Sequence, residues 1–171
     1  MTAKHTFNVL VLCTGNSARS ILGEALFNHL GRGRVKAFSA GSKPSVQVNP
    51  VALETLEKHG VPLPPEVRSK SWDEFAVPGA PHIDYIFTVC ASAAGEPCPV
   101  WPGHPTTAHW GIADPAHVEP IEARREAFEV AYQALEKRIK AFLALDLASM
   151  STKDVATAAR LIHEAVGASE Q

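Results

Sequence analysis

Three observations in the sequence predict an α/β fold built on a parallel sheet. Short apolar or β-branched runs, Phe7 to Leu12, Val35 to Ser39, Ile83 to Val89 and Thr106 to Trp110, alternate with segments of helical periodicity. The longest such segment, Glu119 to about Leu147, places Ile121, Phe128, Ala131, Leu135, Ile139, Phe142 and Leu143 on one helical spacing. The first strand also runs directly into a tight polar turn, Cys13-Thr14-Gly15-Asn16-Ser17-Ala18-Arg19-Ser20. That turn opens a helix through Ile21, Leu22, Ala25, Leu26 and Leu30.

Each element has its local signals. Gly31-Arg32-Gly33 stops the first helix, and Ala40-Gly41-Ser42-Lys43-Pro44 closes the second strand in a turn. Asn49 as N-cap and Pro50 at the first helical position start a second helix that ends at Gly60. Arg68 to Ser71 precedes a short helix, Trp72 to Phe75, and the Val77 to Pro81 link leads into the third strand. From Ala91 to Pro105 the chain is punctuated by glycine and proline and reads as a loop with Cys98 at its middle. Ser151 with Asp154 marks a last helix, ending at Gly167.

At 171 residues the chain is expected to form a single domain, 1–171, with a core from about 6 to 147 and an extra C-terminal helix from about 151 to 167. A net charge of −2 gives no reason to expect nucleic acid or an anionic membrane as partner. No apolar run approaches the ~18 residues of a membrane span, and the first residues lack the pattern of a secretory signal. A cytoplasmic monomer without cofactor is expected. Three cysteines is an odd count, which suits catalytic or redox-active thiols better than a structural disulfide framework.

The Cys13–Ser20 turn carries the chemistry. Its backbone N–H groups, together with a helix N-terminus, make an anion site. Arg19 adds a planar charged fork able to hold two oxygens of one oxyanion. Cys13 lies beneath that anion, in a setting of the kind that lowers a cysteine pKa from about 8.5 to roughly 3.5–7.5. An inert buried cysteine would leave Gly15, Asn16, Ser17, Arg19 and Ser20 in the same turn unexplained. The reading is a nucleophile aimed at a bound oxyanion, held by Thr14, Gly15, Asn16, Ser17, Ala18, Arg19 and Ser20.

A strand, then C-x5-R-S with Gly-Asn inside it, then a helix, resembles the low-molecular-weight protein tyrosine phosphatases and the arsenate reductases built on the same fold. The S-A-G at Ser39 to Gly41 and the H-W-G-x-x-D-P at His109 to Pro115 extend the resemblance, the latter toward the thiol-dependent reductases. It implies a three-layer αβα sandwich around a four-stranded parallel sheet, with the C-terminal helix as an addition. It also implies that Asp114 is the general acid for the departing oxygen, a role typically worth about 10²–10⁴-fold. Where the phosphatases place aromatic residues after Asp-Pro, this chain has Ala116, His117 and Val118; Ala18 and Ile21 also depart from their usual cysteine and proline. A small inorganic oxyanion is therefore expected, arsenate with phosphate as competitor.

Cys90 and Cys98 remain. Together with His104 and His109 they could be a metal set, but C-x7-C is not the C-x2–4-C spacing of zinc sites, and no metal is expected. The resemblance implies a relay instead. Cys13 attacks arsenic, Cys90 attacks Cys13 to release arsenite, and Cys98 takes over the disulfide for reduction by thioredoxin. Glutathione with glutaredoxin, resolving Cys13 or Cys90 directly, is the open alternative for the reductant. A low-molecular-weight phosphatase, and an oxyanion sensor without turnover, are the competing functions.

Overall fold

The computed structural model describes residues 6–45, 47–63, 67–89 and 106–169. Its centre is a four-stranded, wholly parallel sheet of β1 (Phe7–Cys13), β2 (Val35–Gly41), β3 (Tyr85–Thr88) and β4 (Thr106–His109), in the order β2-β1-β3-β4. All residues of β1 beyond Asn8 are buried, as a central parallel strand covered on both faces requires. The helices are α1 (Arg19–Gly31), α2 (Pro50–Lys58), α3 (Ile121–Leu143) and α4 (Thr152–Ser169). Trp72–Phe75 and Leu147–Ser149 are single 310 turns.

Alternation along the strands divides the core in two. Val9, Val11 and Cys13 of β1, with Tyr85 and Phe87 of β3, face the four helices and join Phe27, Trp110, Phe128 and Phe142 in the larger cluster. Phe87 packs its ring 4.2 Å from Trp110 and edge-on to Phe142 at 5.0 Å between centroids. Leu10, Leu12, Ala40 and Ile86 point the other way, onto Trp72 and Phe75. Among the described residues, that 310 turn is the helical layer on the second face.

Several expected boundaries shift for local reasons. β2 continues two residues past Ser39 because Lys70 C=O accepts from Gly41 N–H at 2.9 Å and Gly41 bridges Ser71. The long helix begins only at Ile121, since Pro120 occupies its N-cap position in an extended conformation. It stops at Leu143 and a separate 310 turn follows. The N-caps read from sequence form as written, whereas the last helix does not stop at Gly167 and runs on to Ser169. Asn49 Oδ1 accepts from Val51 N–H at 2.9 Å, and Ser151 Oγ accepts from Asp154 N–H at 3.1 Å. At the free edge of β2, Ala37 N–H donates to Asn28 Oδ1 at 2.8 Å while Asn28 Nδ2 donates back to Ala37 C=O at 3.2 Å.

The strand order reverses direction at β1 and β3, and in open parallel sheets ligands bind beyond the carboxyl ends of strands at such a point. Cys13 ends β1 there. Leu12 is level with Thr88, and Leu12 C=O accepts from Val89 N–H at 2.9 Å, so the chain reaches Val89 beside Cys13. Cys90 and Cys98 lie outside the described residues, as does the expected Ala91 to Pro105 loop.

Candidate active site

The Cys13–Arg19 turn is held by its outer side. Cys13, Thr14, Gly15 and Ser17 carbonyls accept from the backbone N–H groups of Ser42, Lys43, Ser45 and Asn49, at 2.8–3.3 Å. Ser69 Oγ donates to Gly15 C=O as well, at 2.8 Å. With its carbonyls turned out, the turn's amide edge faces Cys13, and Asn16 N–H donates to Cys13 Sγ at 3.2 Å. Asn16 takes a left-handed φ of 46°, a conformation asparagine tolerates better than most residues. Gly41 is required by this packing, because a Cβ there would lie 2.4 Å from Thr14 O and 2.9 Å from Asn16 N. The S-A-G motif thus ends in glycine where the turn crosses β2.

Cys13 is 3% exposed, and its sulfur lies 2.9 Å from Ser20 Oγ. Asn16 orders that contact. Its Oδ1 accepts from Lys70 N–H at 2.9 Å, which leaves Nδ2 to donate to Ser20 Oγ at 2.8 Å. Ser20 Oγ, having accepted there, has its own proton to give to Cys13 Sγ. Ala18, with no side-chain cap, precedes the first turn of α1, which carries no acidic residue. The positive end of the α1 dipole is thus uncompensated by the helix itself at the mouth of the turn.

Arg19 connects this turn to the Asp114 loop. Its Nη1 donates to Ile112 C=O at 2.8 Å, and its Nη2 stands 3.7 Å from Asp114 Oδ2. Among the described residues, Arg19 Nε is buried without a hydrogen-bond partner. A buried guanidinium N–H left in that state is costly, and an oxyanion in the turn is the group that would satisfy it. Asp114 Oδ1 accepts from Ala116 N–H at 2.9 Å, and 42% of its side chain is exposed. Of the four residues in the metal alternative, only His109 is among the described residues, and its Nδ1 lies 2.8 Å from Thr88 Oγ1.

Sequence reasoning missed the buttress behind the turn. Glu24 of α1 is buried, hydrogen-bonded by Ser39 Oγ and 4.0 Å from Lys70 Nζ. Burial pushes its carboxyl above the usual carboxylate range, against smaller lowering effects of Ser39 and Lys70. Lys70 therefore reaches the buried acid with its side chain and Asn16 with its backbone. A glutamate on the inward side of α1 was the available signal; its partners, 15 and 46 positions away, were not.

Comparison with known proteins agrees with this geometry. The family model described as low molecular weight phosphotyrosine protein phosphatase matches residues 8–156. Arsenate reductase of Shouchella clausii is 30% identical over 135 residues, spanning 78% of this chain and 93% of that protein. Arsenate reductase of Bacillus licheniformis is 33% identical over 137 residues, with the same coverage of 78% and 93%. Among solved structures, an arsenate reductase from Archaeoglobus fulgidus superposes with a TM-score of 0.57 at 28% identity, over 77% of this chain and 98% of that one. The tyrosine phosphatase AmsI of Erwinia amylovora gives 0.56 at 26%, over 79% and 89%. With a thiol, an arginine and an acid gathered at the end of β1, and a match running through nearly the whole sheet and its helices, the chain belongs to the low-molecular-weight phosphotyrosine protein phosphatase family.

Proposed function

We propose that the chain reduces arsenate to arsenite through a Cys13, Cys90 and Cys98 thiol relay. The observation that carries the oxyanion chemistry is the buried Arg19 Nε, unpartnered among the described residues, in the same turn as a Cys13 sulfur already contacted by Ser20 and Asn16. Arsenate would sit against the amide edge from Thr14 to Arg19. Cys13 Sγ attacks arsenic, the As–O bond breaks, and Asp114 gives its proton to the departing oxygen. The Cys90 thiolate then attacks Cys13 Sγ. The S–As electron pair passes to arsenic, arsenite leaves, and a Cys13–Cys90 disulfide remains. Cys98 next attacks Cys90 and frees Cys13, and an external thiol, thioredoxin on this reading, reduces the Cys90–Cys98 disulfide.

Two features favour a small oxyanion over phosphotyrosine. Ala116, His117 and Val118 after Asp114-Pro115 provide no aromatic wall for a phenyl ring. The relatives of 30% identity or more reported above are arsenate reductases. The same thiol, arginine and acid also serve phosphoester hydrolysis, so a low activity on phosphate monoesters accompanies the reductase, and a phosphatase is the second reading. A single turnover with arsenate and no added reductant, followed by disulfide mapping, separates the two. The expected products are Cys90–Cys98 in the wild type and Cys13–Cys90 in Cys98→Ser. Three reduced thiols alongside steady ester hydrolysis would leave only the phosphatase. Cys13→Ser abolishes either activity, whereas an oxyanion sensor would survive it.

A further inference from the structure

Most of the last helix lies beyond the family match, which ends at residue 156. It is nonetheless built into the core, with Val155 and Ala159 each 1% exposed. What it grips is the root of the loop that carries Asp114. Trp110 stands between β4 and that loop, is fully buried, and donates its indole N–H to Ala159 C=O at 2.9 Å. Indole has one donor and no acceptor, so this bond satisfies its only polar group. One turn further along α4, His163 Nδ1 accepts from Nε of the buried Arg138 at 3.0 Å. The His163 ring also lies 6.3 Å from that of His109, the residue before Trp110. A Cβ on Gly111 would sit 2.9 Å from His109 Nε2, so the start of the loop rests directly on this imidazole.

The loop is thereby fixed from three directions. Thr88 and Val89 carbonyls accept from Trp110 and Ile112 N–H groups at 2.7 and 2.9 Å. Arg19 takes Ile112 C=O, and α4 takes the Trp110 indole. We propose that α4 is a brace that sets the position of Asp114, with Trp110 as the positioning residue that transmits it. This role rests on Asp114 acting as the acid proposed above. An acid must lie within hydrogen-bond reach of the departing oxygen, and a displacement of ~1 Å can cost about 10²-fold in rate. Oxyanion binding by the Cys13 turn and Arg19 does not depend on that placement, so brace and binding are separable.

Hydrolysis of two phosphate monoesters tests this. p-Nitrophenyl phosphate has a good leaving group that needs little protonation; phenyl phosphate has a poor one that needs the acid. Trp110→Phe keeps an aromatic ring and removes the N–H. Its kcat on phenyl phosphate is expected to fall about tenfold more than on p-nitrophenyl phosphate, with KM and the inhibition constant of inorganic phosphate unchanged. Ala159→Leu, which overpacks the contact between α4 and β4, should give the same bias. In an Asp114→Asn background Trp110→Phe should add nothing further. Equal losses on both esters, no loss, or weakened phosphate binding in both variants would make α4 a support of the fold at large and overturn the role. If Asp114→Asn itself shows no leaving-group bias, the acid assignment has failed and the brace falls with it. That result is distinct from an insensitive Trp110→Phe beside a sensitive Asp114→Asn.

Discussion

Ser20 stands between two groups that want different things from its hydroxyl: Asn16 donates to it, and Cys13 Sγ lies where its proton points. Ser20→Ala removes the second contact and leaves Asn16 Nδ2 without its acceptor. The variant is expected to react at least tenfold more slowly with iodoacetamide at neutral pH, which follows from losing a hydrogen bond of about 1.5–3 kcal/mol to a charged sulfur. A rate equal to wild type would show that Ser20 does not support the thiolate. Glu24 tests the buttress by pH. Because burial raises its pKa in the fold, the stability it contributes is complete below its unfolded value and is lost as pH rises through the folded one. Glu24→Gln removes that loss, so its stability relative to wild type should increase as pH rises from the usual carboxylate range toward neutrality. Urea midpoints across that range check it, and a flat difference refutes it. The grouping of Cys13, Arg19 and Ser20 was legible in the sequence because a single short turn carries all three. Glu24, Ser39 and Lys70 were not, because three separate elements have to fold before they meet.

The elements explain how the turn holds its shape. Four of its carbonyls are claimed by the stretch from Ser42 to Asn49, so the segment after β2 acts as a frame around it. Gly41 sets how closely the two approach. A methyl group at this position meets a backbone oxygen at 2.4 Å, which only movement of the turn can relieve. Gly41→Ala should therefore destabilise the protein by about 1–3 kcal/mol and weaken inorganic phosphate binding at least tenfold. Chemical denaturation and competition against ester hydrolysis would measure the two. Intact phosphate binding in a destabilised variant would separate the frame from the site. Behind the frame, His59 at the end of α2 stacks on Tyr132 of α3 at 4.0 Å and reaches both carboxylate oxygens of Glu129 at 2.8 and 2.9 Å. Burial, with Glu136 beside it, pushes the Tyr132 hydroxyl up to about 12, so this clamp holds a neutral phenol across the physiological range. Helix caps and strand positions were readable from single residues such as Asn49 and Ser151. The extension of β2 to Gly41 was not, since its partner Lys70 comes from 29 positions away.

Over the whole molecule, ligand and fold stability are coupled. The turn and Arg19 come from the end of β1 and the start of α1, so an oxyanion held between them ties the central strand to its helix. Inorganic phosphate at about 100 times its dissociation constant should stabilise the protein by about 2.7 kcal/mol. Arg19→Ala should abolish most of that gain, as read by thermal melting with and without phosphate. A melting point indifferent to phosphate would argue against an oxyanion site at the turn. No helix among the described residues is long and apolar enough to cross a membrane. The four-stranded core was legible because each strand is a compact apolar or β-branched run; the attachment of α4 was not, because it depends on Trp110 meeting a backbone carbonyl 49 residues later. The amide of Asn28 carries one more consequence. Its donor and acceptor occupy the N–H and C=O of Ala37 much as a neighbouring peptide would. An incoming chain seeking to template itself on the outer side of β2 would first have to evict that amide, so a side chain of α1 guards this flank against growth of the sheet.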